Sequence, residues 1–290
     1  MSLAGKTLFM SGGSRGIGFA IAKAAVEQGA NVAIAAKTAE PHPKLPGTVF
    51  TAADELNEVG PGKAIGLVCD IRHEEQIEAA IAATVAAFGG IDICINNASA
   101  ISLTDTPSTS MKRYDLMNEV NTRGTYMVSK LVLPYLQASS HAHILNLSPP
   151  LDLNPKWFKG HVAYTIAKYG MSLCVLGMAE EFREQGIGVN ALWPITAVDT
   201  AAVRNVIGDD RMALMCRKPE IMADAALAIL NRDPGQCTGN FFIDEEVLIE
   251  EGVTDFSVYQ NEGATRLIAD FFVPDEVFER SPTQLVHGMG

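Results

Sequence analysis

The sequence predicts an α/β fold, a doubly wound parallel sheet flanked by helices in a single domain, and three observations predict it. Short runs rich in Val, Ile and Leu alternate with longer stretches of helical period, the pattern of strands buried on both faces beneath helices. The first such run ends in a glycine-rich turn, Ser11-Gly12-Gly13-Ser14-Arg15-Gly16-Ile17-Gly18, that leads straight into a helical stretch. With 290 residues, 48% of them apolar, the chain has enough material for one large core.

In chain order, Thr7 to Ser11 is an apolar run and reads as strand one, and Ile17 to Gln28 has helical period. Asn31 to Ala36 and Ala64 to Cys69 are the second and third strands. Between them, residues 39–53 are proline-rich and read as a loop beside whatever the second strand's end binds. Glu74 to Phe88 is a helix, Ile91 to Asn96 strand four, and Lys112 to Gln137 one long helix. His143 to Leu147 is strand five and Val162 to Glu184 a helix. Gly188 to Leu192 is strand six, and Asn240 to Ile243 is expected to be the last. Residues 195–218 hold several methionines without a periodic pattern, as a substrate loop would. Residues 1–243 therefore read as one sheet-based domain and 244–290 as an acidic tail.

The net charge of −12 speaks against a nucleic-acid partner, which needs a basic surface. From Asp244 onward eleven acidic residues face only Arg266 and Arg280, so the acidity belongs to the tail and the body is nearly neutral. The tail's aromatics Phe256, Tyr259, Phe271 and Phe272 imply that it docks rather than floats free. Five cysteines without a Cys-x-x-Cys pair imply neither disulfide nor zinc and a reducing compartment. No continuous apolar stretch reaches membrane-span length and no signal core opens the chain, so a cytoplasmic protein without a membrane partner is expected.

Three features carry chemistry. Gly12, Gly16 and Gly18 permit a tight turn and close backbone approach, and the following helix N-terminus offers amide donors to a pyrophosphate. After strand two the chain reads Ala36-Lys37-Thr38 where a ribose 2′-hydroxyl would call for an acid. Lys37 and Arg15 instead supply two cations for a 2′-phosphate, which favours NADP(H) over NAD(H). Third, Tyr164 and Lys168 stand four residues apart, on one helix face one turn apart. A phenol with an ordinary pKa near ~10 needs a nearby cation to exchange protons at neutral pH, and Lys168 is placed to be it.

These motifs, with Cys69-Asp70, Asn96-Asn97-Ala98, Asn121-Thr122-Arg123-Gly124 and Ser148 in order along residues 5–200, resemble the short-chain dehydrogenase/reductase family. A further likeness, to the hydroxysteroid dehydrogenase-like protein 2 group, rests on Ala36 to Lys44, on Ser148-Pro149-Pro150-Leu151 and on Asn154-Pro155-Lys156-Trp157-Phe158. The family resemblance implies a Rossmann fold and a catalytic set of Asn121, Ser148, Tyr164 and Lys168. Tyr164 would exchange the proton, Ser148 would hold the substrate oxygen, and Lys168 would lower the Tyr164 pKa and bind the nicotinamide ribose. Asn121 would anchor a water leading to Lys168. Gly12, Ser14, Arg15, Gly16, Ile17, Gly18 and Lys37 would hold the phosphates, Asp70 the adenine, Asn97 the central loop and Thr196 the carboxamide.

The pattern departs from the family at Ser99, where glycine is usual, and in an insertion between Ser148 and Tyr164. Trp157 and Phe158 inside that insertion are expected either to wall the substrate site or to pack as a surface aromatic pair on a neighbouring loop. Together with Trp193, Met212 and Met215 they point to an apolar substrate, lipid-derived molecules being one such class. The function read from the sequence is an NADP(H)-dependent oxidoreductase interconverting a carbonyl and a secondary alcohol. The alternative is a catalytically silent NADP(H) sensor, against which the complete set of proton-handling residues speaks. Excess apolar residues on the Tyr164 helix, such as Met171, Leu173 and Leu176, predict a homodimer or homotetramer.

Overall fold

A computed structural model describes residues 2–41, 47–201, 203–204, 213–264 and 266–287. Strands β1 (Thr7–Ser11), β2 (Asn31–Ala36), β3 (Ala64–Val68), β4 (Ile93–Asn96), β5 (His143–Asn146), β6 (Gly188–Trp193) and β7 (Phe241–Ile243) form one sheet in the order β3-β2-β1-β4-β5-β6-β7. Every pairing is parallel. The order reverses between β1 and β4, which opens a crevice at the carboxyl ends of those strands.

Side-chain alternation on the strands sorts the core into two layers. Leu8, Met10, Val32 and Ile34 face α1 (Gly16–Glu27), α2 (Val49–Leu56) and, further on, α7 (Glu220–Leu230). Phe9, Ala33, Ala35 and Cys94 face α3 (Glu74–Phe88), α5 (Gly124–Leu136) and α6 (Val162–Glu181). By length and composition α6 matches a membrane span, but 61% of its most apolar window is buried inside the fold.

Four sequence expectations are corrected. Residues 39–53 are not all loop, because α2 begins at Val49. Thr48 and Thr51 form a capping box there, and Val49, Ala52, Ala53 and Leu56 bury one helical face. The long helix is not a single α-helix: α4 (Met111–Met117) passes into a π-helical turn, Asn118–Arg123, before α5. The Tyr164 helix stops at Glu181 and is followed by the 3₁₀ turn Arg183–Gln185, capped by Gly186 at φ 69°. Finally, β7 is not the last strand: β8 (Leu267–Ile268) and β9 (Leu285–Val286) pair in a small second sheet.

Residues after β7 fold back onto the body through α8 (Asp244–Glu250) and α9 (Asp275–Arg280). Tyr259 OH donates to Asp224 Oδ2 on α7 (2.6 Å), and Phe256 and Phe272 are buried. The aromatics that imply docking therefore dock on their own chain.

Candidate active site

The site starts from the turn after β1. Gly12 has φ 73°, and a Cβ there would lie 2.8 Å from Ala98 Cα, so the ends of β1 and β4 approach this closely only with glycine between them. Asn97 Nδ2 donates to Gly12 O (2.8 Å), while Ser11 Oγ accepts from the amides of Asn97 and Ala98 (3.2 Å each). These bonds lock the glycine turn to the β4 loop beside the N-terminus of α1.

That turn opens into a cavity of about 780 Å³. Ten of the residues proposed from sequence line it: Gly12, Ser14, Arg15, Gly16, Ile17, Lys37, Asp70, Asn97, Tyr164 and Lys168. Gly18, Asn121, Ser148 and Thr196 stand behind the lining. Thr196 is fully buried and its hydroxyl donates to Ala197 O (3.1 Å). Gly18 lies inside α1, where a Cβ would meet Asn97 Nδ2 at 2.5 Å.

Lys37 is exposed at the end of β2. Arg15 Nη2 donates to Gly47 O (3.1 Å), and partial burial pulls its guanidinium below the usual range. Asp70, just past β3, is gripped by Arg72: Nη2 reaches Oδ2 at 2.6 Å and Nε reaches Oδ1 at 3.0 Å. These hydrogen bonds hold the Asp70 carboxyl below the usual carboxylate range.

On the far side of β4, the π-helical turn presents Asn121. A π turn inserts one residue into a helix and recurs at functional sites. Asn121 Oδ1 accepts from Ala100 N (2.7 Å) and its Nδ2 donates to Ala100 O (3.0 Å), pinning the β4 loop from both sides. Thr122 Oγ1 donates to Ala167 O (3.0 Å) on α6, which approaches because Gly170 offers no side chain; a Cβ there would sit 2.2 Å from Thr122 Oγ1. The neighbouring Ser99 has no positive φ, so its backbone does not call for glycine.

The loop after β5 is tied to α6 as well. Ser172 Oγ donates to Pro149 O (2.6 Å) and Tyr169 OH to Asp152 O (2.5 Å). Ser148 is thereby held beside α6, fully buried, its Oγ without a hydrogen-bond partner among the described residues. Lys168 Nζ donates to Leu147 O (2.9 Å) and stands 5.0 Å from the centre of the Trp193 ring. Burial pulls its ammonium down to about 8. Burial, followed by the charge of Asp270, pushes the Tyr164 hydroxyl above its ordinary value. That direction is opposite to the lowering expected from sequence, because burial and the Asp270 charge both favour the neutral phenol.

Sequence reasoning missed Asp270 and Phe271, which also line the cavity. Trp193 Nε1 donates to Phe271 O (2.6 Å), and the adjoining Phe272 ring packs on Tyr164, Tyr169, Trp193 and Trp157 at 5.4–6.0 Å between centroids. The insertion residues Trp157 and Phe158 therefore back this aromatic cluster and do not line the cavity wall. Met215 packs under β8 and β9, and Met212 lies outside the described residues. The available signal was a single acid, Asp270, inside the apolar run Leu267-Ile268-Ala269-Asp270-Phe271-Phe272-Val273.

A family model described as short chain dehydrogenase matches residues 6–210. Hydroxysteroid dehydrogenase-like protein 2 of Xenopus laevis is 58% identical over 287 residues, 99% of this chain and 67% of its own length. The chain thus spans about two thirds of that relative. A crystal structure from Xanthomonas campestris superposes with a TM-score of 0.91 at 52% identity, covering 94% of this chain and all of that one. A short chain dehydrogenase from Mycobacterium thermoresistibile does so with a TM-score of 0.88 at 54% identity, covering 94% of this chain and 96% of its own. Sheet order, glycine turn and family match agree, and the chain belongs to the short-chain dehydrogenase/reductase family of oxidoreductases.

Proposed function

We propose that the chain is an NADP(H)-dependent enzyme that interconverts a carbonyl and a secondary alcohol on an apolar, lipid-derived substrate. The observation that carries the reading is one continuous cavity joining the glycine turn, Arg15 and Lys37 to Tyr164 and Lys168. Its volume suits a sizeable small molecule, the usual range being roughly 300–1,000 Å³.

The residues present fit a dinucleotide. The turn at Gly12 and Gly16 lines the cavity, the N-terminus of α1 favours a pyrophosphate, and Lys37 and Arg15 offer charge-assisted bonds to a 2′-phosphate. Ser148 Oγ is buried and orphaned, and such a group costs about 1–3 kcal/mol until something pairs with it. A substrate oxygen is the partner this reading gives it. When bound, the reduced cofactor supplies a hydride. Tyr164 OH, which has no hydrogen-bond partner among the described residues, donates its proton to the developing alkoxide. An alkoxide is a stronger base than a phenolate, so the transfer runs downhill even from a raised tyrosine. Lys168, pulled down to about 8, then returns a proton to Tyr164. Ile101, Leu103, Leu116, Trp193 and Phe271 on the cavity wall support an apolar substrate.

Purified protein mixed with NADPH and a panel of aliphatic ketones, aldehydes and oxo-acyl thioesters is expected to oxidise NADPH with at least one member. Tight NADPH binding without turnover on any member would instead establish a sensor. Lys37→Ala is expected to weaken NADPH binding about tenfold, or ~1.4 kcal/mol, with NADH little changed. Fluorescence titration measures both, and equal losses would remove the 2′-phosphate role. The same reading includes self-association, since Tyr126 on α5 and Leu173 and Leu176 on α6 are each more than half exposed (55, 56 and 55%). Light scattering is expected to give a dimer or tetramer, and Leu173→Glu with Leu176→Glu to leave a 31.0 kDa monomer. A wild-type protein that scatters as a monomer at micromolar concentration would refute it.

A further inference from the structure

Asp270 comes to the cavity from the C-terminal segment, far in sequence from every motif read as catalytic. Its backbone is fixed: Asp270 N donates to Ile195 O (3.0 Å), Ala197 N donates to Ile268 O (3.0 Å), and Thr196 pairs antiparallel with Ala269. Two residues on, Phe272 holds φ 68°, in the left-handed region that a bulky side chain avoids. Such strain persists where surrounding structure over-determines it and gathers at functional sites. Here the buried aromatic cluster around Phe272 over-determines it, and the product is a carboxyl held at the cavity wall.

The carboxyl is only partly spent. Phe271 N donates to Oδ1 (2.6 Å), and among the described residues no donor meets Oδ2. The ionisable groups that act on it come from three elements. Tyr164 and Lys168 share its cavity from α6, with Trp193 between them and the Asp270 segment, its ring 5.0 Å from Lys168 Nζ and its Nε1 bonded to Phe271 O. The charges of Asp244 at the start of α8 and of Cys216 in the segment before α7 also couple to it. Asp244 is engaged elsewhere, its Oδ1 accepting from Ile195 N (2.8 Å) and Glu245 N (2.7 Å). Lys168, by contrast, touches a carbonyl, a thioether and an indole face, none of them anionic. A buried ammonium with such partners sheds its proton readily, and Asp270 is the acid that opposes the loss.

We propose that Asp270 is a positioning residue of the reaction centre, a carboxylate that holds Lys168 in its charged form beside Tyr164. The assignment rests on the reading of Tyr164 and Lys168 as the proton-handling pair. Burial pushes the Asp270 carboxyl up to about 7, while Lys168 lies at about 8. Burial thus works against the charged form of both groups, and each charge favours the other's.

The test is NMR titration of the protein with lysine labelled at 13Cε, the Lys168 signal being assigned by its loss in Lys168→Met. In Asp270→Asn, which keeps an oxygen for Phe271 N, the Lys168 midpoint is expected to fall by about 1 pH unit, and Asp270→Glu to restore it in large part. An unchanged midpoint in folded Asp270→Asn overturns the proposal, as does a fall that Asp270→Glu leaves uncorrected. If Asp270→Asn does not fold, the reciprocal measurement decides: in Lys168→Met the Asp270 13Cγ midpoint rises, and an unmoved midpoint overturns it. NADPH titration of wild-type protein by fluorescence reads the oxidoreductase proposal separately, because failure to bind NADPH leaves the Lys168 titration intact.

Discussion

Tyr164→Phe is expected to lower turnover on the carbonyl panel by about 100- to 10,000-fold, the usual contribution of a positioned proton donor. NADPH binding and thermal stability are expected to remain close to wild type. The separation follows from what the hydroxyl touches. Tyr164 is 95% enclosed, its ring packs on Phe272 at 6.0 Å between centroids, and Phe retains that contact. The hydroxyl faces the cavity without an intramolecular hydrogen bond among the described residues, so deleting it strands no buried partner. Burial holds it protonated at neutral pH, which suits donation and makes abstraction from an alcohol the harder direction. Oxidation of alcohols by the wild-type protein should therefore gain more from rising pH than reduction of ketones does. Full activity in Tyr164→Phe would remove Tyr164 from the chemistry. A large fall in melting temperature would show that the hydroxyl was structural.

What the sequence made legible was short in range. Each strand is a compact apolar run, the glycine turn is contiguous, and Tyr164 and Lys168 are related by one helical turn; no long-range contact is needed to see them. Where the reading failed, distant contacts decided. The π turn at Asn121 lies within a segment of ordinary helical period, and its neighbour Thr122 packs on Gly170, almost fifty residues away. The prolines at 41, 43 and 46 made residues 39–53 look like loop, while Thr48, only two residues beyond, caps α2. The Tyr164 pKa was judged from its cation alone, because burial is not visible in a spacing. Asp270 is one of eleven acids after β7, and the strained Phe272 beside it and the bridge from Ala269 to Thr196, both visible only in the fold, separate it from the others.

Arg217→Met is expected to cost about 3–5 kcal/mol of stability, measured by urea unfolding, because it leaves a buried carboxylate without its counter-charge. Arg217 and Glu245 are 0 and 1% exposed, joined through Nη2 and Oε2 at 2.6 Å. Glu245 also receives the hydroxyls of Ser281 and Thr283, so the pair staples the end of the chain to the start of α8. Arg217 reaches the other way too: its amide donates to Ala197 O (3.0 Å) and its carbonyl accepts from Asp199 N (2.8 Å) in the loop after β6. Yet Arg217 Nε and Nη1 are buried with no hydrogen-bond partner among the described residues, although the Phe256 ring lies 5.1 Å from the guanidinium carbon. Two of the three guanidinium nitrogens are thus desolvated without return, and the pair contributes register more than net stability. Arg217→Met combined with Glu245→Leu is accordingly expected to recover much of the single-variant loss, less what Ser281 and Thr283 forfeit. Loosening this staple frees the segment that carries Asp270, so the single variant should also be cut faster by protease within residues 266–287 while the sheet stays intact. A single variant as stable as wild type would mean that the aromatic cluster alone secures the segment.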